Sequence, residues 1–232
     1  MQHRHRAALE DSGFVVFPGV VSPEKCQRLA TAYDRAVIAA RAPDLKTSRA
    51  GSSVRLAELF KYGTAFDDLL ALEPVAEACE LVIGESFKLS SFGARTVLPG
   101  ATEQALHVDV RIEQDAWPLV GFIVMVDGFR QDNGATRFVP GSHKWARVWK
   151  DATTNLRPGH DHLISACGTA GSVIVFDGST WHGHGANLTK APRRSIHGAY
   201  IPRDGTAAVK WSSMARDELG FPGEAPGDDR EE

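Results

Sequence analysis

The sequence predicts a mainly β domain buttressed by N-terminal helices, and three observations carry that reading. The first third of the chain holds one capped helical segment and two shorter ones. From Phe87 onward, short apolar runs alternate with turn signals such as "PG", "DNG" and "PGS". The 232 residues, 43% of them hydrophobic, suffice for a single well-buried core. Helices first and many short strands after fit a sandwich or barrel with a helical buttress.

Taken in order, "GFVVFPGVV" reads as a strand from Phe14 to Phe17 followed by a turn. Ser22 then caps a helix, with Pro23 at its first position and Glu24 in its first turn, running to about Ala40. The Pro-, Gly- and Ser-containing stretch "RAPDLKTSRAGSS" is expected to be loop. Two helical segments follow, around Gly63 to Leu70 and Pro74 to Ile83, and Gly84 ends the second. Strands are expected at Phe87–Phe92, Arg95–Leu98, Leu106–Ile112, Val120–Val126, Thr136–Val139, Ser172–Phe176 and Ser195–Ile201. Residues 1–220 are expected to form one domain. The tail at 221–232 ends in the acidic "GDDREE", has almost no apolar residues and is expected to be disordered.

The bulk numbers exclude several classes. With 26 basic and 29 acidic residues the net charge is -3, which suits neither a nucleic-acid binder nor a protein of anionic membrane surfaces. Cys26, Cys79 and Cys167 lie far apart with no CxxC pair, so they read as reduced thiols rather than a disulfide framework or a zinc site. The N-terminal "MQHRHRAALEDSG" lacks the apolar core of a secretory signal, and the apolar run Leu119–Val126 is too short to span a bilayer. A cytoplasmic location is the expectation. No internal repeat is visible.

The chemistry begins at "ALHVDV". His107 and Asp109 alternate with Leu106, Val108 and Val110, so on a strand the imidazole and the carboxylate would share a face. A His-x-Asp pair supplies one nitrogen and one oxygen. A further histidine would complete the two-His-one-carboxylate set of non-haem iron oxygenases. Later comes "WHGHGANLTKAPRRSIHGAY", which follows the strand "GSVIVFDG". Either His182 or His184 could be the third ligand, since both share a face if the strand is extended. Beyond them, Arg193 and Ser195 fall on one strand face, where a guanidinium can grip a carboxylate and a hydroxyl can add a hydrogen bond. A metal triad with a carboxylate clamp is what 2-oxoglutarate requires as cosubstrate.

The chain resembles the phytanoyl-CoA dioxygenase family of Fe(II)- and 2-oxoglutarate-dependent oxygenases. The resemblance runs from "GFVVFPGVVSPEKCQRL" to "RRSIHGAYIPR" and rests on "HVD", "DNGATRFVPGSH", "GSVIVFDGSTWHGHGAN" and the arginine that follows. It implies a double-stranded β-helix, the cupin-like jelly roll. It implies His107, Asp109 and His182 as iron ligands, with Asn187 closing the His-Gly-x-Gly-x-Asn pattern, and Arg193 as the cosubstrate clamp. The position of His184 is often small in relatives and lies near the cosubstrate carboxylate. The implied activity is hydroxylation of a small molecule with release of succinate and CO2, O2 being the oxidant. Desaturation, epimerisation or cyclisation with the same cofactors is the alternative outcome, and a non-catalytic jelly roll that binds metal or a small acid is the rival class. Asp109 stands where related halogenases carry a small residue, so oxidation rather than halogenation is implied.

Thr136 lies where relatives place a polar pocket residue, and Gln104, just ahead of His107, could reach the cosubstrate. Arg95, a charge within an apolar strand, reads either as an inward cation or as an outward snorkelling side chain. Arg111 and Trp117 follow the ligand pair as possible substrate contacts, and Trp145 and Trp149 could roof the site. Arg49, Arg55, Arg111 and Arg157 together would suit an anionic substrate. His143 of "PGSH" reads as structural, and His160, Asp161 and His162 as loop decoration rather than ligands.

Overall fold

The computed structural model describes residues 1–41, 44–48, 51–84, 86–109, 118–145 and 162–205. Arg49, Arg111, Trp117, Trp149, Arg157, His160, Asp161 and the 221–232 tail, all singled out above, lie outside the described residues.

Among the described residues, three α-helices precede most of the sheet: α1 His3–Ser12, α2 Pro23–Ala39 and α3 Glu73–Val82. The described residues hold ten strands in the order β1 Phe14–Phe17, β2 Leu45–Thr47, β3 Ser53–Leu56, β4 Phe87–Val97, β5 Val120–Met125, β6 Thr136–Phe138, β7 Ile164–Ser165, β8 Val173–Asp177, β9 His182–His184 and β10 Arg193–Pro202. Seven of them form one antiparallel sheet in the order β1-β8-β5-β10-β4-β3-β2, and β7-β6-β9 form a second. This is the mainly β, jelly-roll architecture expected, with helices packed against the larger sheet. Among the described residues no helix is long and apolar enough to cross a membrane.

Alternation along β5 builds two cores from one strand. Val120, Phe122 and Val124 pack with Leu29, Tyr33, Phe66, Ala78 and Tyr200 on the helix side. Ile123 and Met125 face the other way and pack with Phe14, Phe138, Ile174 and Phe176 between the sheets. Each fully buried side chain of this size contributes about 1.5–3 kcal/mol, so both faces of the large sheet are anchored. Helix α2 starts on a local cap and docks through an ion pair distant in sequence. Ser22 Oγ accepts from Lys25 N–H at the start of α2, as the cap predicts. Arg194 of β10 forks onto Asp127 and reaches Asp34 of α2.

Several elements depart from expectation. The two strands expected at 87–92 and 95–98 are one continuous strand, β4, because Gly93 packs close beneath β3 rather than breaking the ladder: a Cβ there would lie 2.6 Å from the Leu56 carbonyl oxygen. The expected loop contains β2 and leads into β3, a hairpin whose turn is closed by Ser48 Oγ accepting from the backbone of Ser52 and Ser53. The segment from Gly63 to Leu70 is helical but of the 3-10 kind, at Thr64–Ala71. Helix α1 carries no apolar stripe that would announce it, and only Leu9 of it is buried. The strand expected over Leu106–Ile112 is absent over its described part, 106–109. That chain is held by hydrogen bonds at irregular spacing, Gln104 N–H to His184, His107 N–H to His182 and Asp109 N–H to Gly178 carbonyls.

Gly171 makes the turn into β8 at φ +85°, and a Cβ would sit 2.1 Å from the Val21 carbonyl oxygen. Its carbonyl in turn accepts from Val21 N–H at 3.0 Å. Gly171→Ala is therefore expected to destabilise the fold by about 1–3 kcal/mol through left-handed strain and backbone displacement. The check is a lower denaturant midpoint at unchanged slope in urea unfolding.

Candidate active site

The site lies on the inner face of the large sheet, where the small sheet closes over it. Strand β9 presents His182 and His184, paired with Phe138 and Thr136 of β6. The irregular segment carrying His107 is stitched to β9 by reciprocal backbone hydrogen bonds, His107 N–H to His182 carbonyl and the reverse, both 2.9 Å. Gly183 lets that segment approach: a Cβ there would meet the Gln104 carbonyl oxygen at 2.9 Å.

Each of the two histidines has one ring nitrogen tied to its own neighbourhood. His107 Nδ1–H donates to the Ala105 carbonyl at 3.2 Å, and His182 Nδ1–H to the Thr180 carbonyl at 2.8 Å. That leaves both Nε2 atoms as bare lone pairs. They converge on one carboxylate, with His107 Nε2 3.8 Å from Asp109 Oδ1 and His182 Nε2 3.7 Å from Asp109 Oδ2. The three ligand atoms lie within 4.8 Å of one another, and among the described residues no other such cluster occurs. Burial and the neighbouring His182 pull the His107 pKa down to about 4, so the imidazole is neutral at physiological pH and able to ligate.

His184 stays out of this cluster. It is 2% exposed, and its Nδ1–H donates to the Gly185 carbonyl at 2.9 Å. Geometry thus separates the two histidines that spacing left as alternatives. Burial lowers the His184 pKa, with Arg193 among the charges acting on it.

Arg193 is 1% exposed. Its Nη1 donates to Ser195 Oγ at 2.9 Å and its Nη2 to the Gly134 carbonyl at 2.8 Å, while Nε has no partner. The guanidinium stacks 4.0 Å over the Phe129 ring. Among the described residues no carboxylate pairs with it. Desolvation accordingly pulls its pKa down to about 9. A buried cation left in this state costs several kcal/mol, a cost that a bound carboxylate would offset. Arg194, its neighbour, faces the helices and is taken by Asp127 and Asp34.

The remaining predicted residues divide. Thr136 is buried opposite His184. Gln104 Oε1 accepts from Arg95 Nη1 at 2.9 Å. Arg95 therefore points inward and, with Asp109, lines a cavity of about 440 Å³, so the outward snorkelling reading is corrected. The register of β4 with β10 sets Arg95 opposite Ser195 and hence on the inner face. His143 is structural, its Nε2 bonded to the Glu10 carbonyl of α1. Asn187 organises the turn between β9 and β10, donating from Nδ2 to the Val97 and Ala191 carbonyls and accepting from Thr189.

One residue went unnoticed. His197 lines the same cavity, and its Nε2 lies 2.8 Å from Ser195 Oγ. Burial holds its pKa well below the ordinary value. Extending the period-2 alternation of Arg193 and Ser195 by one more step would have found it.

Comparison with known proteins bears on family and fold. The family described as Phytanoyl-CoA dioxygenase (PhyH) matches residues 9–195. A curated relative, Dioxygenase af480 of Aspergillus fumigatus, is 30% identical over 227 residues, covering 92% of this chain and 71% of its own. Among solved structures, the non-heme alpha ketoglutarate dependent epimerase SnoN from nogalamycin biosynthesis superposes with a TM-score of 0.72 at 22% identity, over 86% of this chain and 82% of that one. HygX from Streptomyces hygroscopicus, solved with nickel, 2-oxoglutarate and hygromycin B, superposes with a TM-score of 0.72 at 17% identity over 95% of both chains. These two likenesses concern the fold. With the family match extending over most of the sequence and the His-Asp-His cluster in place, the chain belongs to the phytanoyl-CoA dioxygenase family of 2-oxoglutarate-dependent iron dioxygenases.

Proposed function

We propose that this protein hydroxylates a small organic molecule, with His107, Asp109 and His182 holding Fe(II) and Arg193 with Ser195 holding the distal carboxylate of 2-oxoglutarate. The observation that carries the reading is the convergence of two Nε2 lone pairs on the Asp109 carboxylate, each ring locked by its Nδ1–H on a backbone carbonyl. Such backbone bonds fix tautomer and ring orientation in the way that metal-ligating histidines require. A two-nitrogen, one-carboxylate donor set suits Fe(II) and leaves positions for a bidentate cosubstrate and O2. Bound iron would supply the redox chemistry that couples oxidation of 2-oxoglutarate to succinate and CO2 with oxidation of the substrate.

The chain's own residues do the positioning. The Gly134 carbonyl and the face of the Phe129 ring hold the Arg193 guanidinium, so its fork needs no reorganisation when a carboxylate arrives. Ser195 Oγ accepts from Arg193 Nη1 and lies beside His197 Nε2, while its hydroxyl donates to the Arg95 carbonyl at 3.2 Å, a proton that would turn onto the same carboxylate when it binds. His184 and Thr136 wall this region from β9 and β6. The domain is proposed to extend to about residue 220.

Anaerobic addition of Fe(II) and 2-oxoglutarate is expected to raise the weak visible charge-transfer band of the ternary complex. Its absence, with iron bound, would sink the cosubstrate assignment. Replacing single histidines separates their roles: His182→Ala should abolish turnover and iron retention, whereas His184→Ala should keep iron and lose activity only in part, as read by metal analysis after desalting and by succinate release. The opposite pattern would transfer the ligand role to His184.

Arg193→Met should weaken 2-oxoglutarate by about 2–5 kcal/mol, the cost of stripping a buried charged partner. Because the guanidinium is an uncompensated buried charge in the cosubstrate-free protein, the same variant should melt no lower than wild type without cosubstrate. A large fall in Tm with cosubstrate affinity intact would make the residue a structural one.

A further inference from the structure

We infer that Ser90 and Ser91 of β4 and His197 of β10 form an uncharged hydrogen-bonding subsite, and that the substrate is an apolar molecule with a neutral hydroxyl group that docks there. This rests on the proposed oxygenase reading, which makes the cavity shared with Asp109 the substrate pocket.

The two serines share a face because β4 carries a bulge. Ala199 of β10 pairs with Ser91 and Tyr200 with Leu89, so Ser90 has no partner across the ladder. Leu89 and Phe92 both pack into the helix-side core. The extra residue between them breaks the alternation, and Ser90 and Ser91 both line the cavity on the inner face. Ser90 is 4% exposed. Among the described residues neither serine hydroxyl has a hydrogen-bond partner, and neither oxygen is sealed off, so both open to the cavity.

Counting hydrogen bonds fixes the proton of His197. Ser195 Oγ accepts from Arg193 Nη1, and its own proton goes to the Arg95 carbonyl. One lone pair remains, so His197 Nε2, 2.8 Å away, carries the ring hydrogen and donates to it. Burial, with the charge of Arg193 next, holds the ring neutral. Nδ1 is therefore a bare acceptor, without a partner among the described residues and not sealed off. On β4 the residue opposite His197 is Gly93, which has no side chain to cover the ring, and Ser91 is its diagonal neighbour on the inner face.

An acceptor that cannot donate thus stands beside two hydroxyls that can. A substrate hydroxyl matches both, giving its proton to Nδ1 and taking one from a serine. A ketone lacks the proton, a carboxylate would face the Nδ1 lone pair, and an ammonium would share the cavity with Arg55 and Arg95. Those two cations stand at the metal end, Arg55 under the influence of Asp109 and Arg95 bonded to Gln104. Leu119, Phe176 and Ala199 give the 440 Å³ volume apolar walls. Such a pocket, apolar with a few convergent polar atoms, suits a small molecule held in one orientation.

The test uses the full chain loaded with Ni(II) and saturating 2-oxoglutarate, so that the cosubstrate position is filled. The probes are 2-naphthol and its methyl ether, 2-methoxynaphthalene, which keeps the oxygen and loses the proton; both are followed by fluorescence. Wild type should bind the naphthol about fivefold more tightly, the gain from one neutral hydrogen bond. His197→Gln keeps a donor for Ser195 but removes the acceptor at Nδ1, and should abolish this preference. His197→Asn, whose Oδ1 stands near the place of Nδ1, should retain it. The double change Ser90→Ala and Ser91→Ala should weaken both probes about equally, since both carry an oxygen that accepts from serine. Unaltered melting temperatures would confirm that the variants fold. A wild type that binds the two probes alike or binds neither, or a preference that survives in His197→Gln, overturns the inference. The Fe(II)–2-oxoglutarate band, recorded on the same proteins, tests the oxygenase reading separately. Wild type lacking the band yet preferring the naphthol through His197 would sink that reading and support the subsite.

Discussion

The reciprocal pair of backbone hydrogen bonds between His107 and His182 is the constraint on which the site depends. One partner belongs to a regular strand and the other to a segment without a ladder of its own. The bridge transfers the rigidity of the first to the second. Because both ring orientations are then set by Nδ1–H bonds within two residues of each histidine, the position of the nitrogens follows from backbone alone. Side-chain packing adds a second support: the His182 ring lies against Phe138 and Phe176, part of the core between the sheets. A ligand set built this way is preorganised, which lowers the entropy lost when a metal enters.

The inner face of the large sheet divides its work by position. Toward β1 and β8 it is apolar and holds the small sheet through Phe14, Ile174 and Phe176. Along β10 and β4 it becomes polar, with Arg193, Ser195, His197 and Arg95 replacing hydrophobic side chains. The helix-side face of the same strands stays apolar through Ile196, Tyr200, Phe92 and Ala94. Helices and small sheet therefore contribute the stability that the polar strip of β10 does not.

What could be read in the sequence was local. The cap at Ser22, the apolar runs of β5 and β8 and the Arg193–Ser195 spacing of β10 each carry their signal within a few residues, and these elements form where expected. The edge hairpin of β2 and β3 did not announce itself, since its strands are short, polar and held by pairing with β4 across a long stretch of chain. The same nonlocality hid the placement of Arg55, named from the sequence only as one of four arginines, since the sheet register alone brings it beside Arg95. The metal pair was visible as "HVD" though the backbone there is irregular: the alternation of apolar and polar residues reflects two environments, whether or not a ladder runs through them. The choice between His182 and His184 was beyond spacing, because two residues on one strand face differ only in what stands opposite. For His182 that is His107, and for His184 it is Gln104 and Thr136.

The consecutive arginines of β10 demand opposite surroundings. Arg193 sits buried among a hydroxyl, a carbonyl and a ring, while Arg194 is clasped by two aspartates beside α2. A slide of the strand by one residue would leave Asp127 and Asp34 facing a different side chain and drive Ile196 and Tyr200 out of the helical core. Chemically alike and adjacent, the two side chains cannot exchange places, and their non-equivalence serves as a key that admits β10 into the sheet in one alignment.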